Sequence, residues 1–135
     1  MTDDNRRENL AAEWRLSEAA WKEGLLLLDG GHPRGALTRF YYSAFHAACA
    51  ALLAEGLEAA THSGVRSLFS QHFVKSGRMA PELPRLLASM QQQREDADYE
   101  RTLEVDGDQA GWARDDAATV RQAIESWLRE HGWLL

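Results

Sequence analysis

Internal sulfur cross-links are excluded at the outset. Cys49 is the one cysteine in 135 residues, and a lone thiol fits a reducing compartment better than an oxidising one. Strand-forming residues are scarce too. Val, Ile and Thr together number 10 against 21 Ala and 18 Leu, a balance that predicts an all-helical protein, because β-branched residues suit strands while Ala and Leu suit helices. Long apolar runs are missing. The longest, Ala47 to Ala54, has eight residues against the roughly 20 that cross a bilayer, so no membrane segment is expected. The opening residues MTDDNRREN mix both charges and lack the apolar stretch of a secretory signal, and the expected location is the cytoplasm. An excess of positive charge is absent as well. The net charge is −6, which disfavours broad duplex binding, since that rests on Lys and Arg replacing the counterions of the phosphates.

Motif chemistry is also thin. The glycine loops GxGxxG and GxxxxGK[ST] do not occur, HExxH and Glu-x-x-His are missing, and Gly-x-Ser-x-Gly is absent. Nucleotide loops, helix-borne metal pairs and a hydrolase elbow therefore have no candidate. His32, His62, His72 and His131 are scattered without zinc spacing, so neither metal nor cofactor is expected.

What is present is helical periodicity. Residues 1–135 read as a single domain, with no repeat or linker to divide them. Leu10, Trp14, Ser17, Trp21, Leu25 and Leu28 recur at helical spacing and predict a first helix over about 5–29, ended by Gly30-Gly31. Pro33 opens a second to about Glu55, with Leu37, Tyr41, Ala44, Phe45, Ala48 and Leu52 on its core face and Gly56 as its stop. Thr61 or Ser63 caps a third, carrying Val65, Leu68, Phe69 and Phe73 to Gly77; Pro81 and Pro84 start a fourth with Leu83, Leu86, Leu87, Met90, Arg94 and Ala97 along one side. Residues 101–108 read as a loop. Asp108 is the expected cap of a fifth helix, which presents Ala113, Ala117, Val120, Ile124 and Trp127. Five amphipathic helices with short connections make a bundle.

The second helix carries the chemistry. With Arg39 at zero on a wheel of 100° per residue, His46 falls at about −20°, Ser43 at about 40° and Tyr42 at about −60°, one face opposite the core stripe. Further along that side Ala50 and Leu53 make the helix apolar on both sides, so a second surface must cover it: another helix of the chain or a second copy. We favour the second copy. An imidazole moves protons near neutral pH, and a guanidinium fork suits a phosphate and the charge that develops on it. Together they suit RNA cleavage without a metal, His46 assisting attack by a 2′-hydroxyl or protonating the leaving oxygen while Arg39 holds the phosphate. Arg and His seven apart on a helix are common, and spacing alone does not decide.

ALTRFYYSAFHAACAALLAEG at 36–56 resembles the central helix of HEPN-domain proteins, in particular a small stand-alone branch of them. THSGV at 61–65, FVKSG at 73–77 and REDADY at 94–99 fit that branch in order and spacing. The resemblance implies a four- to five-helix bundle of HEPN type, usually a homodimer, and a metal-independent endoribonuclease with an Arg-x4–6-His motif whose copies face each other across a cleft. Arg39 and His46 take the catalytic places, with Tyr42 and Ser43 as supporting polar groups and RNA as substrate. Many members are toxins or phage-defence effectors paired with a nucleotidyltransferase antitoxin; others are non-catalytic modules that bind such a partner or a nucleotide. The tyrosine that some toxins carry two residues after the motif histidine is Ala48 here. Within REDADY, the bland expectation is that Arg94 pairs with Asp96, Asp98 or an acid elsewhere and that Tyr99 closes the core, while His62 reads as a local helix-start hydrogen-bonder.

Overall fold

A computed structural model describes residues 2–100 and 102–135. All regular structure among them is helical: α1 Asp3–Asp29, α2 Pro33–Ala54, α3 His62–Phe69, α4 Glu82–Tyr99 and α5 Gly107–Glu130, with a π-helical turn Ser70–Val74 continuing α3. Thr2 caps α1 through a bond from the Asn5 amide, and Pro33 begins α2 where no amide donor is needed. Gly56 leaves α2 at φ +73°, a left-handed turn that side chains resist. Thr61 caps α3 by accepting from the Gly64 amide. The cap of α5 is Asp106, not Asp108: its carboxylate accepts from the Gln109 amide while the Gln109 side chain accepts from the Asp106 amide. That reciprocal pair satisfies two otherwise orphaned donors, which Asp108 cannot do from inside the first turn. Residues 102–106 carry no helix, and Arg101, at the start of the expected loop, lies outside the described residues.

α2 is the axis of the bundle and touches each of the other helices. α1 runs back along it antiparallel, pairing Ser17 with Ser43 and Glu13 with His46. The inward line of α1 passes through Leu10, Trp14, Ser17, Ala20 and Gly24, whereas Leu25, expected on the core face, is exposed. Gly24 explains the shift. A Cβ there would lie 2.6 Å from the ring of Phe40, which is fully buried, so the missing side chain lets the two helices close on each other. We expect Gly24→Ala to cost stability even though Ala favours a helix by about 1 kcal/mol, because overpacking a fixed ring costs about 1–3 kcal/mol. Thermal unfolding checks this: the midpoint should fall by a few degrees, and an unchanged or higher midpoint means the helices yield.

α5 closes the opposite side. Arg121 donates to Ser17 at 3.0 Å and lies over Trp14 and Trp21, and Trp127 meets Phe73 edge-on. The apolar character of α2 on both sides is therefore satisfied within one chain. Ala50 and Leu53 are buried by the protein's own helices, so this pattern gives no separate reason for a second copy. No described helix is long and apolar enough to cross a membrane.

Candidate functional site

α2 sets Arg39, Tyr42 and His46 along the seam where α1 meets it, and α1 supplies an acid to each end. The His46 Nδ1 stands 2.7 Å from a Glu13 carboxylate oxygen, with both side chains roughly three-quarters buried. A carboxylate at Nδ1 holds that nitrogen as the donor and leaves Nε2 for proton transfer. Arg39 is 3.7 Å from Glu23, in a more open pair, and its guanidinium lies 5.2 Å from the centre of the Tyr42 ring.

A second group of side chains meets the same seam from the other side. Tyr41 is buried and its hydroxyl is hydrogen-bonded to the His62 Nδ1. Burial pushes the Tyr41 phenol far above its ordinary value, so the phenol keeps its proton and donates it, which leaves the hydrogen of neutral His62 on Nε2. His62 also stacks on Phe45 at 4.2 Å. It is thus tied to α2 rather than to its own helix start, contrary to the sequence expectation. Arg94 lies over both Tyr41 and Tyr42, at 5.6 and 5.5 Å, and donates to Asp98 at 3.0 Å; its Nε is buried without a partner. Asp96 accepts instead from Gln92. Tyr99 does not close the core: it is 83% exposed, because α4 ends there with Ala97 turned inward and Tyr99 two residues round the helix. Among the described residues, no three His, Cys, Asp or Glu side chains converge as metal ligands would.

Burial, and after it the charges of Arg94 and Arg66, lower the His62 pKa below its ordinary 6.5. The unfolded chain therefore takes up a proton there as pH falls through that value, before the folded chain does. The contribution to stability is present above the unfolded pKa and is lost on acidification. We expect the thermal midpoint to fall between about pH 7 and pH 5, and to fall less in His62→Gln. Parallel curves for the two proteins would remove His62 as the cause.

The family model described as the HEPN domain matches residues 12–127, nearly the whole bundle with both motif residues inside it. The chain belongs to the HEPN family. A UPF0332 protein of Thermotoga maritima is 32% identical over 128 residues, 93% of this chain and 96% of its own length. A UPF0332 protein of Pyrococcus horikoshii is 41% identical over 70 residues, 52% of this chain and 49% of its own length. A Methanocaldococcus jannaschii protein named as a candidate toxin is 33% identical over 75 residues, 56% of this chain and 51% of its own length.

In this HEPN bundle, then, Arg39, Tyr42 and His46 share a seam, as the wheel expects. Ser43 leaves it. Ser43 is fully buried, its hydroxyl donates to the Phe40 carbonyl at 2.7 Å and its own carbonyl accepts from Ser17 at 2.6 Å. The cause is α1, which covers the Ser43 side of α2 and makes that residue part of the helix contact. Ala48 is buried as well. The residues that sequence reasoning missed are Glu13 and Glu23. With Glu13 at zero on the wheel of α1, Ala20 falls at about −20° and Trp14 at about 100°, so Glu13 lies inside the buried arc. A carboxylate there needs a partner, and that was the available signal.

Proposed function

We propose that this HEPN chain is a metal-independent endoribonuclease that works as a homodimer and serves as a toxin or phage-defence effector, restrained by a nucleotidyltransferase antitoxin. The observation that carries the reading is the Glu13–His46 contact, which occupies one imidazole nitrogen and leaves the other for proton transfer, on the same helix seam as Arg39, a cation suited to a phosphate two turns earlier on α2. The candidate-toxin name of the M. jannaschii relative supports the biological half.

In the proposed reaction Arg39 holds the scissile phosphate by its fork. The Nε2 of one His46 takes the proton from a 2′-hydroxyl, whose oxygen attacks phosphorus. The bond to the 5′-oxygen breaks, and the protonated His46 of a second copy gives that oxygen its proton. The products are a 2′,3′-cyclic phosphate and a 5′-hydroxyl, with the proton count balanced between the two imidazoles. A two-fold would bring the copies together, since it presents the same patch from each.

The test is cleavage of a fluorescent RNA by purified protein of measured mass. We expect a dimer in sedimentation and cleavage that persists in EDTA. Activity abolished by EDTA and restored by magnesium or manganese overturns the two-imidazole mechanism, and an active monomer overturns the composite cleft.

A further inference from the structure

Between α3 with its π-helical turn and the start of α4 lies an open groove of about 610 Å³. Arg66, Lys75 and Arg85 line it with Ser63 and Ser70, and none of its lining residues is acidic. In a chain of net charge −6 this is a local concentration of positive charge. α3 links the groove to the seam, because Ser63 of the groove directly follows His62 in the chain. Tyr42 has the rings of His46 and His62 each 6.1 Å from its own, and Phe45 lies between the same two histidines, 5.6 Å from one and 4.2 Å from the other. Arg66 follows His62 by one turn of α3, about 6 Å along the helix. Its guanidinium is steadied by Gln91, which Glu95 holds in turn at 2.9 Å. Lys75 and Arg85 are exposed and carry no ion pair among the described residues.

We propose that this groove is the track for single-stranded RNA leaving the Arg39–His46 seam, with the phosphates of the strand on Arg66, Arg85 and Lys75 and a base against Tyr42 or Phe45. Strand binding without sequence readout combines these two elements: a cationic groove along the backbone and aromatic faces for the bases. The His62 Nε2–H adds a neutral donor where the seam passes into the groove. The positive field is felt at His62 itself, whose pKa Arg94 and Arg66 both lower after burial has done so. An acidic peptide would find the cations but no use for the aromatic entrance.

This rests on the ribonuclease reading, and the experiment separates the two. Binding of a fluorescein-labelled 12-nucleotide RNA is measured by anisotropy against salt, using the full chain with His46→Ala so that nothing is cut. Adding Lys75→Gln and Arg85→Gln is expected to weaken binding by about tenfold at low salt and to lower the salt slope by about 0.7 for each phosphate no longer neutralised. In the otherwise native chain the same pair should slow cleavage of the 12-mer and leave cleavage of a dinucleotide, too short to enter the groove, unchanged. Unchanged affinity and slope overturn the proposal. So does displacement of the RNA by polyglutamate at equal charge concentration, which assigns the groove to an acidic protein. If the 12-mer binding depends on the two cations while the native chain cuts nothing, the groove stands and the nuclease reading falls.

Discussion

His46→Ala should keep its fold and lower RNA cleavage by about 10² to 10⁴, the range for losing a positioned proton-transfer group. The side chain is part-buried in the seam between α1 and α2, outside the sealed core, so its removal leaves the Phe40, Phe69 and Phe73 packing in place. Arg39→Ala should act on the same step, and the double variant should be little worse than either single one, because groups that act as a unit are strongly non-additive. Arg39→Lys should recover little, as it keeps the charge and loses the fork. The measurements are fluorescent-RNA cleavage and growth after induced expression, with circular dichroism and sizing as controls. Equal cleavage by His46→Ala with the same fold removes His46 from the mechanism. If the native chain neither cuts RNA nor slows growth, the non-catalytic module that binds a nucleotidyltransferase or a nucleotide takes its place.

Glu13→Ala carries the second large effect. Glu13 touches no reacting atom in the proposed mechanism; it is a positioning residue that holds His46 Nδ1 as the donor and leaves Nε2 for proton transfer. Loss of a buried triad aspartate costs serine proteases about 10⁴ in turnover. Glu13 is more exposed than such a group, so we expect a fall of about 10² in kcat with KM little changed. Its coupling to His46 is the decisive readout. In a His46→Ala background, Glu13→Ala should lower the residual cleavage no further. A further loss of similar size in that background means that Glu13 acts by another route, through packing or RNA contact.

The five helices were legible because each carries apolar residues at helical spacing, and in α5 every expected core residue from Ala113 to Trp127 is buried. Boundaries set by reciprocal contacts were harder to read. Asp106 outcompetes Asp108 only because Gln109 reaches back to it, and the π-helical turn at Ser70–Val74 has no marker in the pattern of Phe69 and Phe73, which reads as ordinary helix. At the site, the wheel placed Arg39, Tyr42 and His46 correctly relative to one another, since that depends on α2 alone. It could not place Ser43, whose surroundings are fixed by how close Gly24 allows α1 to approach. The acids that meet Arg39 and His46 belong to another helix, and periodicity within one helix carries no register between two.

The two acid contacts from α1 differ in how firmly they hold. Arg39 and Glu23 are 3.7 Å apart with half of the glutamate exposed, and an open pair of that kind contributes only about 0–1 kcal/mol. Glu13 sits at 2.7 Å from His46 with both partners more enclosed. If Arg39 binds a phosphate as proposed, it leaves Glu23 at small cost while the imidazole stays anchored. In that proposed reaction Glu23 is a placeholder that the phosphate replaces. Glu13 is a fixture. In the proposed reaction the guanidinium would change partners on each encounter with RNA, and the histidine would keep one partner throughout.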